Sequence, residues 1–563
     1  MTETRAQKVA RAQQGVWHRH RVAPAMPQAD DTPTITVEAA VDQAVAAVQC
    51  VLTEPEARAV PLTLVDTRWD TLTWRYVQTW QATLPAYSTG TIVRYTVEAL
   101  PRDGSASIPA DDGETFSYLV GAGGAPAWAA EARIYQIFVD RFNPGAGRDW
   151  PPTDDLTRPF GGTLRGIIEK LDYLADLGIN CVWITPIFPD KSSHGYHPLD
   201  YFAVNPRMGS LDDVRELLRE AHARGIRVLL DFVANHMGRD HPAFVKARTD
   251  RDSDEYQWFT WRSWPDEYEA YFDLPQLPQI NTDYPNARDY LLRSIRYWMQ
   301  EVGFDGLRLD YASGPAHDFW TDVRALIEEI NSEAWIFGEI TAPPAVLRSY
   351  AGRLHGALDF PLAQALRDTF GFSTMDFSAF DAFLAGHEHY FPAAFSLPSF
   401  LDNHDMDRFL WTADGDVRKL KLALLCLLTL SGPPILYAGT EMGLSQRNAI
   451  NETGSQGMSE SRQPMPWDSP PHPALHAYVR DLLHMRCDHP AIWRGERRTV
   501  HVDDATQTYA YVCWDADDAI LVAFNRSEEA QTIALEDLDV ALAPVSGEAV
   551  VLTAAQRQQI LKM

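Results

Sequence analysis

A repeating order of helix, glycine and short apolar strand, from about residue 130 to 488, most constrains how this chain can fold. Ser210 followed by Asp213 has the spacing of a capping box, and apolar residues at helical spacing continue until Gly225. The apolar run 226–233 comes directly after that glycine. The same glycine-then-strand order recurs at two further places, Gly178 before 179–186 and Gly303 before 304–310. This alternation predicts βα units and a parallel sheet.

Eight strands of this kind are predicted, at 134–139, 179–186, 226–233, 304–310, 335–340, 357–360, 399–401 and 434–437. Eight βα units imply an α/β fold with a closed (β/α)8 TIM barrel. A doubly wound open sheet is the alternative, but no Gly-x-Gly-x-x-Gly turn follows the first strand to support a nucleotide site. We therefore predict a barrel over residues 130–488.

Three further regions have a different pattern. Residues 1–120 contain alternating apolar and polar positions, which predict an N-terminal β-sandwich, and the glycine-rich stretch 121–126 is typical of a connection. Residues 236–284 are too long and too aromatic for an ordinary βα loop and predict an inserted subdomain after the third strand. Residues 489–563 contain hairpin patterns that predict a C-terminal β-sandwich.

Charge and cysteine usage exclude several classes of partner and location. The formal net charge of -28 repels phosphate backbones and anionic lipid surfaces, so neither nucleic acid nor a membrane is an expected partner. The five cysteines are odd in number, scattered and mostly in apolar surroundings, which indicates buried thiols rather than a disulfide or zinc framework. No signal peptide is recognisable, and the apolar run 422–430 is too short to span a bilayer. We expect a cytoplasmic protein.

Polar residues close four of the predicted barrel strands, and catalytic groups of such barrels lie at these strand ends. One strand-end carboxylate is commonly a helix cap or a solvated loop residue. When four strands each end in such polar residues, a single catalytic site at one end of the barrel is favoured. The residues are Asp231, Asn235 and His236 at the third strand, Arg308 and Asp310 at the fourth, Glu339 at the fifth, and His404 and Asp405 at the seventh.

This combination resembles the α-amylase superfamily, glycoside hydrolase family 13, over almost the whole chain. Within it, the early all-β domain and the segment 277–281 look most like the neopullulanase, cyclomaltodextrinase and maltogenic amylase group. The other segments that carry the resemblance are 135–142, 194–196, 432–441 and 462–467.

The resemblance implies the chemistry of a retaining glycoside hydrolase. Asp310 is then the nucleophile, Glu339 the general acid/base and Asp405 the carboxylate that stabilises the transition state. Retention requires two carboxyl groups about 5 Å apart. Arg308, two residues before Asp310 on a strand, is expected on the same face, where it can hold that carboxylate ionised.

The resemblance also implies which residues bind the sugar. His236 and His404 are expected to bind hydroxyls at the cleavage point, and Tyr196 to stack beneath that ring. Asp231 and Asn235 are expected to support the site rather than to act in catalysis. An oligosaccharide is the implied partner.

No required cofactor and no metal site are predicted. Amylases of this kind that hold calcium typically use a Lys-His pair shortly after the nucleophile, where this chain has Ser313 and Gly314. The loop 143–149 has too few oxygen ligands for a tight calcium site. The ligand motifs therefore do not support calcium.

Three residues depart from the resembled group. They leave undetermined which sugar the acceptor side of the site binds. Gln279 stands where Lys is usual, and Thr341 stands where His follows the acid/base. Tyr311, directly after the nucleophile, replaces a small or β-branched residue. Tyr311 either narrows the cleft or packs behind the barrel strand, and the sequence does not choose between these two.

The predicted function is hydrolysis of short or cyclic α-1,4-glucans with transglycosylation. An α-glucosidase, an α-1,6-acting enzyme or a sucrose- or trehalose-handling transferase of the same superfamily is the alternative. A non-catalytic glucan-binding protein is a more remote one, against which the intact carboxylates argue. The resemblance allows a homodimer through the first domain, whose tryptophans either stack on sugars or fill a core: Trp17, Trp69, Trp74 and Trp80.

Overall fold

The computed structural model describes residues 15–41, 44–71, 74–535 and 538–560, which form two compact units. The first unit contains the described residues through Gly124 together with Ser313–Ser332 and Ala342–His355, and the second contains the rest. The predicted domains 1–120 and 489–563 include short segments outside the described residues, namely 1–14, 42–43, 72–73, 536–537 and 561–563. Within the described ranges, no helix has both the length and the apolar character to cross a bilayer.

Two antiparallel sheets build the first unit. One has the order β1-β3-β7-β6 with β2 on β3, and the other the order β10-β8-β4-β5 with β9 on β8. Alternate residues of β3 and β8 are buried, as the period of two predicted, and they share one apolar core. The strands are β1 Gly15–Trp17, β2 Val22–Ala23, β3 Thr34–Ala40, β4 Val45–Glu54, β5 Arg58–Pro61, β6 Thr63–Asp70, β7 Arg75–Thr83, β8 Ile92–Pro101, β9 Ile108–Pro109 and β10 Phe116–Leu119.

The next ten strands, β11 to β20, lie in the second unit, and eight of them form one parallel sheet. Its order is β18-β17-β16-β13-β12-β11-β20-β19, while β14 and β15 form a separate hairpin. They are β11 Ile134–Ile137, β12 Cys181–Ile184, β13 Arg227–Val233, β14 Trp261–Ser263, β15 Glu267–Tyr268, β16 Gly306–Asp310, β17 Trp335–Gly338, β18 Gly356–Ala357, β19 Ser399–Phe400 and β20 Pro434–Tyr437.

The eight parallel strands confirm the predicted TIM-barrel fold. The sheet curls on itself, and an isolated parallel bridge between Gly356 and Ser396 joins the end strand β18 to the segment just before the other end strand, β19. The two backbone segments approach closely there: a Cβ on Gly356 would lie 2.0 Å from the Ser396 carbonyl oxygen. Large apolar side chains such as Trp183 and Trp335 fill the interior, as expected of a barrel core.

Helices lie between the barrel strands in the chain. The predicted capping box is confirmed: the Ser210 side chain accepts from the Asp213 backbone N–H, and the helix begins at Leu211. The helices are α1 Ala127–Ala130, α2 Val139–Phe142, α3 Leu164–Ile168, α4 Leu171–Leu177, α5 Leu211–His222, α6 Pro242–Thr249, α7 Pro285–Arg296, α8 His317–Ile330, α9 Pro344–Ser349, α10 Phe360–Leu366, α11 Phe377–Tyr390, α12 Phe409–Thr412, α13 Val417–Thr429, α14 Pro473–Asp488, α15 Ala491–Arg494 and α16 Ala554–Ile560.

The insertion after β13 and the end of the chain have structures of their own. The insertion contains α6, the β14–β15 hairpin and short turns of 3₁₀-helix at Asp254–Trp258 and Tyr271–Asp273. After α15, strands β21, β22, β23 and β26 form an antiparallel sheet, and β24 pairs with β25. These strands are β21 Glu496–Asp503, β22 Thr508–Trp514, β23 Ala519–Asn525, β24 Gln531–Leu535, β25 Leu538–Leu542 and β26 Ser546–Val551.

Candidate active site

The predicted catalytic carboxylates lie at the carboxyl ends of neighbouring barrel strands. Asp310 is the last residue of β16, and Glu339 directly follows β17, the next strand in the sheet. On the other side of β16, Asp231 of β13 pairs in register with Arg308. Because adjacent parallel strands end at one edge of the barrel, these side chains converge there.

Arg308 connects three of the carboxylates. Its Nη1 lies 2.8 and 2.9 Å from the two oxygens of Asp231 and 2.9 Å from Oδ1 of Asp310. Its Nη2 forms an ion pair with Oε2 of Glu339 at 2.8 Å. The guanidinium has no exposed side-chain surface, so these contacts operate away from bulk water. One planar group thus fixes the two carboxyls of the predicted nucleophile and acid/base.

Burial and charge act in opposite directions on these groups. Burial raises the pKa of Asp310 well above its usual value, Arg308 opposes that rise, and the neighbouring Glu339 adds to it. Burial likewise raises the pKa of Asp231 to about 6 against the effect of Arg308. The positive charge of Arg308 thus offsets part of the rise in pKa that burial causes at both Asp310 and Asp231.

Asp405 is held by a different arginine. Arg462 Nη2 lies 2.6 Å from Asp405 Oδ1, and Arg462 Nε donates to the His404 carbonyl oxygen at 2.8 Å. Burial alone raises the pKa of Asp405, but the charges of His404, Arg462 and Arg308 outweigh burial and lower that pKa to about 2. Burial lowers the pKa of His404 itself to about 3. At neutral pH His404 is therefore uncharged, and the two arginines keep Asp405 ionised.

Tyr196 and His404 form a stacked pair. Their rings are nearly parallel at 3°, with centroids 5.3 Å apart. The Gln136 amide donates to His404 Nδ1 at 2.6 Å, which leaves the proton of the neutral ring on Nε2. His404 Nε2 can then donate to the Tyr196 hydroxyl at 2.8 Å, and that hydroxyl donates to Asp231 at 2.8 Å. This chain of hydrogen bonds fixes the Tyr196 ring in one orientation.

His236 contacts this group through the backbone of Tyr196. Its Nε2 lies 3.0 Å from the Tyr196 carbonyl oxygen, and its Nδ1 is 3.2 Å from Nδ2 of Asn235. Burial lowers the pKa of His236 to about 3, so the ring is neutral. Both nitrogens are thus engaged within the protein, and these contacts favour a positioning role for His236 and Asn235.

Arg462 and Tyr271 are site residues to which the sequence assigned no role. Arg462 lies in the family-like segment 462–467, which the sequence singled out without a function. Tyr271 lies in the long aromatic insertion, and its ring packs against His236 at 4.8 Å. The signal for Arg462 was a conspicuous motif, whereas that for Tyr271 was only the richness of the insertion in aromatic residues.

One group of residues within the described ranges could hold a metal ion. Donor atoms of Asp190, His194 and His197 lie within 4.8 Å of one another. Asp190 already accepts the Ser192 N–H at 2.8 Å, the Ser192 hydroxyl and the His197 N–H at 3.1 Å. Two imidazoles and one carboxylate suit a transition metal better than calcium, which takes six or more oxygen ligands. This group does not fit the calcium site of amylases.

Comparison with known proteins agrees with the geometry. The family described as the alpha amylase catalytic domain matches residues 136–480. The chain is 36% identical over 402 residues to alpha-amylase 2 from Dictyoglomus thermophilum, covering 71% of this chain and 70% of that protein. It is 34% identical over 427 residues to a cyclomaltodextrinase from a Bacillus species, covering 72% and 75%. The solved structure of a cyclic alpha-maltosyl-(1→6)-maltose hydrolase from Arthrobacter globiformis matches with a TM-score of 0.70 at 30% identity, covering 76% of this chain and 100% of that one.

Proposed function

This chain belongs to the α-amylase family of glycoside hydrolases, and from that premise we propose that it cleaves short or cyclic α-1,4-glucans with retention of anomeric configuration. It is a hydrolase of the cyclomaltodextrinase, neopullulanase and maltogenic amylase type. Linear or cyclic maltooligosaccharides are the proposed substrates, and transfer to sugar acceptors is the proposed second outcome of the reaction.

The observation that carries the retaining mechanism is the single guanidinium of Arg308 shared by Asp310 and Glu339, at 2.9 and 2.8 Å. Retaining enzymes hold their two carboxyls about 5 Å apart, whereas inverting enzymes need roughly 6.5 to 9.5 Å to admit a water molecule. Two carboxyls bridged by the two ends of one guanidinium support the shorter separation.

In the first half of the reaction Glu339 donates its proton to the glycosidic oxygen. An oxygen of Asp310 bonds to the anomeric carbon as the bond to the leaving sugar breaks, and the electron pair stays on the protonated oxygen. In the second half, Glu339 as a carboxylate takes a proton from water or from the hydroxyl of another sugar. That oxygen displaces Asp310, which gives hydrolysis in the first case and transfer in the second. No cofactor enters these steps.

Asp405 and Tyr196 are proposed to hold the sugar at the cleavage point. Asp405 stays ionised because Arg462 and Arg308 lie near it, and a fixed negative charge stabilises the oxocarbenium-like transition state. The oriented ring of Tyr196 offers a flat apolar face for the pyranose, with His404 stacked on it.

Cleavage of α-1,6 linkages is the second candidate. The matched Arthrobacter structure is named for a cyclic substrate with an α-maltosyl-(1→6)-maltose linkage. The departures at Gln279, Tyr311 and Thr341 from the resembled group are proposed to affect the side of the site that binds the leaving group. Reaction products from maltotriose, cyclodextrin, pullulan, isomaltose and sucrose distinguish α-1,4 from α-1,6 activity and from the transferase alternatives.

A cytoplasmic location is proposed because all five cysteines are free, four of them buried. The domains 1–120, 130–488 and 489–563 are proposed on the sequence patterns, and a homodimer is proposed on the resemblance to the same group. Sedimentation as a monomer at micromolar concentration would contradict the dimer.

The test of mechanism is the anomeric form of the first product, read by proton NMR before mutarotation. Retention requires the α-anomer, and an initial β-anomer would contradict the proposal. Glu339→Gln is expected to lower kcat on maltotriose by about 10²- to 10⁴-fold, the usual contribution of a general acid. The loss should be much smaller on α-maltosyl fluoride, whose leaving group needs little protonation. Asp310→Ala is expected to lose activity on both substrates.

Glu441→Gln is a matched control for Glu339→Gln. Glu441 is a fully buried glutamate shortly after β20, and it accepts from the hydroxyls of Tyr135 and Tyr173 at 2.9 and 2.7 Å. This variant is expected to cost stability while leaving the ratio of rates on the two substrates unchanged. An equal change of that ratio in both variants would contradict the assignment of Glu339.

A further inference from the structure

Three aromatic rings meet directly beside the predicted nucleophile. Tyr311 packs edge-to-face on Tyr271, with centroids 4.8 Å apart at 85°, and lies 5.6 Å from Phe272. Tyr271 and Phe272 are themselves in edge contact at 4.6 Å. Both come from the insertion after β13, so the Tyr311 ring faces that insertion. Of the two orientations left open by the sequence, the structure places Tyr311 toward the cleft.

The backbone at two of these residues has a conformation that large side chains rarely adopt. Tyr311 has φ of +39° and Phe272 has φ of +48°, both in the left-handed region. Phe272 is also 70% exposed. Strained backbone and an exposed large apolar ring are both unfavourable, and they recur where a ligand is bound.

The three-ring cluster of Tyr271, Phe272 and Tyr311 lies next to Glu339, the proposed acid/base. The Tyr311 backbone N–H donates to Glu339 Oε2 at 3.1 Å, on the carboxyl that must face the leaving oxygen. Burial, followed by the charges of the three active-site carboxylates, raises the pKa of the Tyr271 phenol, which places that side chain beside the same groups. The stacked pair of Tyr196 and His404 is instead bonded to Asp231 and Asp405. Tyr311 is thus bonded to the acid/base Glu339, whereas Tyr196 and His404 contact Asp231 and Asp405.

The loop after β17 does not supply an aromatic platform at its first two positions beyond Glu339. Ile340 is fully buried and Thr341 is a small exposed residue. A leaving sugar at this side of the site has the three-ring cluster as its flat apolar surface.

We propose that Tyr311 and Phe272, supported by Tyr271, form the binding platform for the glucose unit that leaves and for the sugar that later accepts. This inference rests on the proposed function and names its specificity-determining residues. Pyranose faces carry axial hydrogens that pack on aromatic rings, so the platform selects glucosyl acceptors over water and sets the balance of transfer and hydrolysis.

The test compares two substrates that differ only in whether a sugar leaves. Tyr311→Gly removes the ring and suits a positive φ, so it relieves strain rather than adding it. On maltotriose, kcat/KM is expected to fall about tenfold, the size of one aromatic contact. On α-maltosyl fluoride, where no sugar occupies the platform, the change is expected to stay within about twofold.

Phe272→Gly is expected to follow the same pattern, and Tyr311→Phe, which keeps the ring, is expected to retain the wild-type ratio. With added maltose as acceptor, Tyr311→Gly should form a smaller share of transfer products. Equal losses on both substrates would overturn the inference, because Tyr311 would then act by positioning Glu339 or Asp310. Unchanged kinetics on both would overturn it as well. A wild-type protein that turns over neither substrate would contradict the proposed function and, with it, this inference.

Discussion

Replacing Arg308 by lysine tests whether the active site depends on the shape of the guanidinium or only on its charge. Arginine reaches Asp231 and Asp310 through one nitrogen and Glu339 through the other. Lysine keeps a positive charge but presents it at one point, so it cannot span both catalytic carboxyls. Arg308→Lys should therefore release Asp310, Glu339 or both.

The size of the effect follows from the bonds that are lost. Each buried charge-assisted hydrogen bond contributes about 1.5 to 3 kcal/mol. Loss of the hydrogen bond to Asp310 then costs about 1.5 to 3 kcal/mol, which corresponds to roughly 10- to 10²-fold in kcat/KM, and loss of the ion pair with Glu339 adds to this. Lysine at this position also leaves buried carboxylates without a full partner, so part of the loss will appear as reduced stability.

The assay measures kcat/KM on maltotriose and thermal unfolding by circular dichroism for the same preparations. Arg486→Lys is the matched control, because Arg486 is equally buried but binds the backbone carbonyls of residues 428 and 430–432. It should lose stability and keep its rate per folded molecule. If Arg308→Lys keeps kcat/KM within about threefold, or loses no more than Arg486→Lys, the reasoning from guanidinium geometry is refuted.

Three further outcomes are expected. Arg462→Gln breaks the 2.6 Å contact to Asp405 and should lower kcat/KM about 10- to 100-fold; an unchanged rate would show that Arg462 does not hold that carboxylate. Gly306→Ala places a Cβ 2.0 Å from the carbonyl oxygen of the next strand and should lower the free energy of unfolding by about 1 to 3 kcal/mol in urea. Gly386→Ala, a helical control with open space around it, should be neutral or stabilising, and equal losses would exclude the steric explanation. Unfolding lets His404 gain the proton that burial excludes down to about pH 3, so His404 contributes about 1.4 kcal/mol per pH unit to a loss of stability as pH drops below about 6.5; His404→Gln should remove that contribution from the slope in unfolding curves at pH 7, 6 and 5.

The sequence determined the parts of this protein that depend on local patterns. The eight barrel strands and the capping box at Ser210 were predictable because apolar periodicity and cap residues act over one or two turns of chain. The meeting of Asp231, Arg308 and Asp310 was predictable for a similar reason. Strand-end residues of a parallel barrel share one edge once the strand order is known.

Tertiary structure decided what those residues contact. Arg462 reaches Asp405 across 57 positions of the chain, and no local pattern fixes such a pairing. That His236 binds sugar is a prediction from the sequence, and only the folded chain shows that its ring nitrogens contact Tyr196 and Asn235.

The orientation of Tyr311 shows the physical reason most clearly. Its position after the nucleophile is read from the sequence, yet its backbone lies at a positive φ that local preference disfavours. Packing against rings from an insertion about 40 residues earlier accompanies that conformation. Local sequence specifies the strand and its end, whereas the direction of a side chain beyond that end depends on which distant segments fold against it.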